Sequence, residues 1–337
     1  LIRMMYAKEE GVPVDPAGLA EFLQDVDVLL SCVPYWMHPR IAAVAIQTKT
    51  HMVDLGGNTE ITMETLAMDE QAKSAGVTLV PDTGLAPGLV NSIGMYLFEK
   101  LDECDSVKLY CGVLPQNPKP PFNYKLTFNV EGLVTEYDFQ AVALREGEIT
   151  LIDTLTELED LHIDQLGPME AFVTSGGTST APYTLQGRVK NYEYKTIRFP
   201  GHCERIKIFK DFGFWGEEPI EVEGTHVRPR ALFYKVFGDA LSKFEDQDLC
   251  AVRGVGVGTK DGQPKRIQLD IFDKEDPRTG FTSMERLTGF SCSIFAIAIS
   301  AGLLPEGCIR YENGMSGAQF VEELSKREHI DLKIQVT

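Results

Sequence analysis

The chain has 337 residues, 43% of them apolar, and a formal net charge of −18 at neutral pH. That length accommodates two ordinary domains, and the acidity argues against a nucleic-acid partner, which requires clustered Lys and Arg. No apolar run of about 18 residues escapes a charge or a helix breaker, so no membrane span is expected. The nearest candidate, residues 290–304, is shorter, carries Ser291, Ser293 and Ser300, and reads as a buried helix.

The first hundred residues alternate strand and helix. Residues 16–23 predict a short helix. Residues 26–33 (VDVLLSCV) form a continuous apolar run, as in a parallel strand buried on both faces, and end in Pro34–Tyr35. Residues 39–47 read as a helix. Residues 51–55 read as a second strand, ending in Gly56–Gly57–Asn58–Thr59. A helix over 60–75 stops at Gly76. Residues 77–81 form a third strand that runs into Asp82–Thr83–Gly84, and a further helix spans 88–100. This is the rhythm of a Rossmann-type, doubly wound α/β sheet. Such a fold normally opens with a strand and a G-x-G-x-x-G turn. Nothing before Val26 has that form, so the first strand and its Gly-rich loop are missing from the sequence, or the ligand is held differently.

After about residue 102 the pattern changes. Residues 107–114, 125–130, 135–144, 148–152, 196–198, 206–209, 250–258 and 267–272 read as strands, with hairpin signals at 145–147 and Asp261–Gly262. Only 230–243 reads as a helix there. This is an α+β domain with a mainly antiparallel sheet. Helices return at 284–301 and 317–326, before a short strand at 332–336, and this last stretch is expected to pack back on the first domain. The expected division is therefore 1–102 with 283–337 as a dinucleotide-binding domain, and 103–282 as a substrate and oligomerisation domain.

The seven cysteines are odd in number and include no CxxC pair. They read as reduced thiols of a cytoplasmic protein. No HxH or HExxH spacing occurs, and no metal is expected. The opening LIRMMYAKEEG does not read as a signal peptide.

Ligands of open α/β sheets bind beyond the carboxyl ends of the strands. Three such ends follow one another here: Cys32, Val33 and Pro34; then Asp54, Gly56, Gly57 and Asn58; then Gly84, Leu85, Ala86 and Gly88. Glycines let the backbone approach a ligand closely. The other glycine run, residues 253–259 (RGVGVGT), leads into a charged hairpin turn and has its third glycine one position early. It reads as a strand. In residues 174–180 (TSGGTST), Thr174, Ser175 and Gly177 can wrap a polar ligand. Arg198 has a bidentate fork suited to a carboxylate. His202 stands in a motif-like PGHCE and suits a general base near neutrality. Asp82 and Lys125 are further candidates for proton transfer.

DLGGNT, PDTGLAPGLVN, YCGVLP, NYKLTFNVEGLVTEY, TSGGTSTAPYTLQG, YKTIRFPGHCE and TSMERLTGF, in that order, resemble the saccharopine dehydrogenase-like family, and most of all its lysine 6-dehydrogenase branch. The resemblance covers about residues 26–323. It implies a Rossmann domain with an α+β substrate domain, NAD or NADP at the strand ends, an amino-acid substrate, and a homodimer or larger homo-oligomer. It also implies substrate contacts from Tyr35, Cys111 and Arg198, which match an aromatic after S-x-x-P-Y, a Cys in Y-C-G-G and an Arg in T-L-R-Y. The saccharopine-type motif G-L-D-P-G stands here as Gly84–Leu85–Ala86–Pro87–Gly88. Without that acid, the resemblance points to oxidative deamination of the ε-amine of L-lysine. Hydride would pass to NAD(P)+, giving ammonia and allysine, which cyclises to piperideine carboxylate. His202, Asp82 or Lys125 would take the proton. A saccharopine or carboxynorspermidine type of reductase is one alternative. A non-catalytic NAD(P)-binding protein is another, because fold does not fix function.

Overall fold

The computed structural model describes residues 15–328 and 330–337, so the opening LIRMMYAKEEG lies outside the described residues. Helix α1 (Pro16–Phe22) starts at Asp15, whose carboxylate accepts from the Ala17 and Gly18 N–H groups at 3.1 Å. Then come β1 (Val28–Ser31), α2 (His38–Thr48), β2 (His51–Asp54), α3 (Thr59–Leu66), α4 (Asp69–Ala75) and β3 (Thr78–Val80). β1, β2 and β3 lie side by side and parallel, as the apolar runs predict. The helix expected over 60–75 is two helices. The second starts at Asp69, whose carboxylate accepts from the Cys308 N–H at 2.9 Å and from Lys73 at 2.6 Å.

A single π-turn at Leu85–Leu89 leads into α5 (Val90–Glu99) and then β4 (Glu103–Pro115). The chain continues through α6 (Val130–Asp138), β5 (Gln140–Arg145), β6 (Glu148–Asp153), β7 (Glu159–Ile163) and β8 (Gly167–Val173). After these come α7 (Ala181–Leu185), β9 (Asn191–Arg198), α8 (His202–Asp211), the hairpin β10 (Ile220–Val222) and β11 (Thr225–Val227), and α9 (Pro229–Ser242). Two long strands, β12 (Asp248–Lys260) and β13 (Gln263–Lys274), precede α10 (Ser283–Ser300), β14 (Gly307–Cys308), α11 (Tyr311–Gly314), α12 (Gly317–Ser325) and β15 (Asp331–Val336).

The second sheet has nine strands, ordered β15-β13-β12-β4-β9-β5-β6, with β8 also on β9 and β7 on β8. β4 and β9 are parallel and the other pairs antiparallel. Two expected strands are not strands and a third is one only in its second half. Residues 125–129 are irregular and 206–209 lie inside α8, while of 135–144 residues 135–138 end α6 and 140–144 belong to β5. In α6 the inward residues Val130, Leu133, Val134 and Tyr137 recur at helical spacing, and Asn129 caps the helix by accepting from the Gly132 N–H. In α8 the buried His202, Cys203 and Ile206 show the same spacing.

The glycine run 253–259 does form strand, within β12. A Cβ on Gly254 would come within 2.8 Å of Leu97 and Ile93, so the glycine lets α5 lie directly on the strand. Helix α10 is the buried helix expected. It packs on β1, β2, the π-turn and β12, and Asp248 accepts from its first N–H groups, on Ser283 and Met284, at 2.7 and 3.0 Å. β14 joins the parallel sheet beside β3, while β15 adds to the edge of the other sheet against β13. One core, including Val53, Val80, Ile93, Leu109, Val252 and Phe295, therefore lies under both sheets. Among the described residues, no helix is long and apolar enough to cross a membrane.

Candidate functional site

The register Ser31↔Asp54 and Val53↔Val80 brings the carboxyl ends of β1, β2 and β3 to one edge. Asp54 ties the turns there together. Its carboxylate accepts from the Gly56 and Asp82 N–H groups at 2.8 and 3.0 Å. Its carbonyl accepts from the Thr83 N–H and hydroxyl at 2.8 and 2.7 Å. The two glycine-rich ends interlock. Gly56 is left-handed (φ 77°), and a Cβ there would fall 2.2 Å from Asp82 Oδ1. A Cβ on Gly84 would fall 2.5 Å from the Leu55 carbonyl oxygen. Tyr35 lies against Gly57, while Cys32 and Pro34 are exposed at the end of β1 and Val33 is half-buried. Asn58 caps α3 by accepting from the Glu60 and Ile61 N–H groups. His38, absent from the expectations above, is buried here with Nδ1 3.0 Å from Ser31 Oγ and Nε2 4.0 Å from Asp54.

Asp82 is the focus of this edge. It is 1% exposed, and Ser179 donates to its Oδ2. The buried Oδ1 makes no hydrogen bond of normal length, and the Thr62 side chain favours the ionised carboxyl. Burial, and next the charge of Asp54, push the carboxyl up to about 7. A carboxyl poised near neutrality at a strand end is suited to proton transfer. The π-turn holding Leu85, Ala86 and Gly88 is secured by Asn91, whose amide donates to the Pro87 and Gly177 carbonyls at 2.5 and 2.7 Å. Tyr192 donates to Asn91 Oδ1 at 2.7 Å. Asn91 was legible only as an odd residue for a helix interior.

The segment 174–179 runs from this edge into the second sheet. The Thr174 hydroxyl lies 2.7 Å from that of Thr196, which sits opposite Cys111 in the β4–β9 pair. The Ser175 N–H donates to the Glu136 carbonyl at 2.8 Å, and the Ser175 hydroxyl to the Thr135 carbonyl at 3.0 Å. At Gly177 a Cβ would fall 2.1 Å from the Tyr194 ring. The side chains expected to wrap a ligand thus hold the loop in place. Ser179, the one that reaches Asp82, was missed.

The end of β9 carries a buried cationic group. Arg198 is 4% exposed. Its Nε donates to the Tyr137 hydroxyl at 3.2 Å and its NH1 to the Ile197 carbonyl at 3.0 Å. The guanidinium carbon stands 5.0 Å over the Tyr124 ring. Glu136 Oε2 is 3.8 Å from NH2. Burial pushes the Glu136 carboxyl up to about 7 against the pull of Arg198, although its side chain is 36% exposed. His202 supports this group. Tyr137 lies 3.1 Å from Nε2, and Nδ1 is 3.5 Å from the Phe122 carbonyl. The network assigns Tyr137 as donor to Nε2, because its oxygen already accepts from Arg198. Burial, and next the Arg198 charge, push the imidazole down to about 3. Lys125 donates instead to the Asp246 carbonyl, beside a cavity of about 490 Å³ lined also by Phe128, Leu241 and Phe244. Cys111 is buried beside Cys250. The structure thus ties the 174–179 segment to Asp82 through Ser179 and to the Glu136 backbone through Ser175, with the Glu136 side chain facing Arg198, and it spends His202 and Lys125 on neighbouring contacts.

Residues 84–330 match the saccharopine dehydrogenase C-terminal domain, and residues 12–80 the saccharopine dehydrogenase NADP binding domain. The saccharopine dehydrogenase [NADP(+), L-glutamate-forming] of Pyricularia oryzae is 25% identical over 213 residues, 60% of this chain and 47% of that protein. The α-aminoadipic semialdehyde synthase of Arabidopsis thaliana is 24% identical over 246 residues, 69% of this chain and 23% of that one. The chain thus spans less than half the length of these relatives. Among solved structures, apo saccharopine dehydrogenase (L-Glu forming) from Saccharomyces cerevisiae superposes with a TM-score of 0.76 at 18% identity, covering 97% of this chain and 88% of that chain. A homospermidine synthase from Legionella pneumophila in complex with NAD gives a TM-score of 0.63 at 12% identity, covering 95% and 78%. At such identities these structures establish the fold alone.

Proposed function

This chain belongs to the saccharopine dehydrogenase family, and from that premise we propose that it oxidises the carbon–nitrogen bond at the ε-carbon of a lysine-type amino acid, L-lysine first of all. One observation carries the reading. A single short segment links Asp82 to the residue that faces Arg198: Ser179 is bonded to the Asp82 carboxyl, and the Ser175 N–H to the carbonyl of Glu136, whose side chain lies 3.8 Å from the Arg198 guanidinium.

Arg198 holds the substrate α-carboxylate, with its planar fork fixed from behind by Tyr137 and His202. An aliphatic amine arrives protonated, since its ordinary pKa is about 10.4. Hydride leaves only a carbon that bears a neutral amine, so a proton must first be taken. Asp82 takes it at Oδ1, with Ser179 holding the other oxygen. His202 is too weak a base and its free nitrogen is occupied by Tyr137, and the Lys125 ammonium is committed to Asp246. The strand ends suit a nicotinamide: exposed Cys32, Pro34 and Gly57 lie at the same edge as the buried Asp82 carboxyl. Cys32, Val33, Pro34, Gly56, Gly57, Gly84 and Gly88 would line its binding edge. NAD(P)+, when bound, supplies the hydride acceptor. Water then adds to the carbon–nitrogen double bond, and lysine, NAD(P)+ and water yield allysine, ammonia, NAD(P)H and a proton.

The relatives' names favour a second reading, in which saccharopine is the substrate. The same carbon then loses hydride, and glutamate departs in place of ammonia. The test is formation of NAD(P)H with lysine or saccharopine, comparing wild type with Arg198→Ala. The amino-acid KM should rise far more than the cofactor KM. NAD(P)H bound without turnover of either substrate would leave a non-catalytic binding protein. The expected homo-oligomer belongs to the same proposal and is read by light scattering.

A further inference from the structure

Arg198 and Glu136 face each other without closing into a bond. Their nearest atoms are 3.8 Å apart, whereas a charge-assisted pair normally settles at about 2.7–2.9 Å. Arg198 is held through Nε and NH1, and the Glu136 backbone is anchored through its carbonyl, which accepts from the Ser175 N–H at 2.8 Å. Arg198 NH2 makes no hydrogen bond to another described residue, while the Glu136 side chain opens to solvent at 36% exposure. The Tyr124 hydroxyl, on the ring under the guanidinium, is buried and makes no hydrogen bond of normal length. A held guanidinium and a carboxyl just out of contact with it suit the two ends of a zwitterion, whose incoming ammonium would favour the ionised form of Glu136.

Resting on the function proposed above, the geometry points to Glu136 as the group that binds the substrate's α-ammonium while Arg198 binds its α-carboxylate. The ligand class is an α-amino acid with a second nitrogen at the far end of its side chain. Burying this head group adds no net charge, and each end meets an opposite partner. The arrangement also selects the bond that reacts. An α-nitrogen kept as ammonium by Glu136 cannot release hydride from the α-carbon. Only the distal amine, at the Asp82 end of the 174–179 segment, can become neutral. Tyr137 and Glu136 are adjacent in α6, so one helix supplies both the brace of the cation and its anionic companion.

The test is calorimetric titration of the NAD(P)H-bound enzyme with L-lysine and with 6-aminohexanoate, which is lysine without its α-amine. Wild type should bind lysine at least about tenfold more tightly, since a site built for a charged group rejects the analogue lacking it. Glu136→Gln should erase that ratio by weakening lysine alone, and Glu136→Asp should restore part of it. A melting temperature near that of wild type checks that both variants fold. Equal weakening of both ligands, an unchanged ratio, or a wild type that binds neither would overturn the assignment. Selective lysine binding without any NAD(P)+ reduction would uphold the assignment of Glu136 and overturn the proposed activity instead.

Discussion

Ser179 donates its hydroxyl proton to Oδ2 of Asp82, across the boundary between the nine-stranded sheet's loops and the parallel sheet's edge. The bond favours the ionised carboxylate, while burial and Asp54 oppose it, and the outcome is a carboxyl near 7. With Asp82 as proton acceptor, kcat/KM for the amine rises about tenfold per pH unit below this value and then levels. Ser179→Ala removes the stabilising donor, so the rising limb moves to higher pH. A pH–rate profile of both proteins measures the displacement; an unmoved limb would remove Asp82 from the role.

Asp82→Asn separates catalysis from stability. Loss of a general base lowers kcat by about 10²–10⁴-fold. Asp82 titrates at about 7 in the folded chain, above its ordinary 3.8. The folded state therefore binds this proton more tightly than the unfolded state. Its contribution to stability is greatest at pH values below the unfolded pKa, and is lost as pH rises through the folded one. The wild type should melt lower at pH 8 than at pH 5, and Asp82→Asn should narrow the difference. Asp54, also raised by burial, acts in the same direction and remains in the variant. Melting curves at the two pH values check the sign.

Arg198→Lys keeps the charge but loses the planar fork and the Nε bond to Tyr137. The KM for the amino acid should rise by about tenfold to a hundredfold, with the KM for the nicotinamide cofactor nearly unchanged. Initial-rate kinetics with each substrate varied in turn distinguish the two effects.

Asn91→Ala strips three buried partners at once: the Pro87 and Gly177 carbonyls and the Tyr192 hydroxyl. A buried polar group left unsatisfied costs about 1–3 kcal/mol, so the variant should lose at least about 2 kcal/mol in urea unfolding. Activity should fall too, because the π-turn and Gly177 lose their common tie.

Much of this is legible in the sequence, for physical reasons. The strands 28–31, 51–54 and 78–80 are largely apolar runs, the first leading into Pro34 and the other two into glycine turns, and both the run and the turn are local properties. Arg198 stands out because its chemistry is local to its own side chain. α6 was obscured because Val130, Val134, Thr135 and Tyr137 favour strands individually, while their helical spacing is decided by the aromatic core they face. The IKIF of α8 alternates like a strand for a similar reason. The break before Asp69 depends on Cys308, and the setting of Asp82 on Ser179; both partners are distant in sequence. His202 looked like a base because nothing near it in the chain reveals its complete burial beside Arg198.

In the proposed reaction hydride leaves the carbon farthest from the α-amino acid head. Lysine carrying two deuterium atoms on its ε-carbon tests this directly, with the reduced cofactor collected and weighed by mass spectrometry. Reduced NAD(P) bearing one deuterium is the predicted product. Reduced cofactor without deuterium, or deuterium recovered only from lysine labelled at the α-carbon, would contradict it.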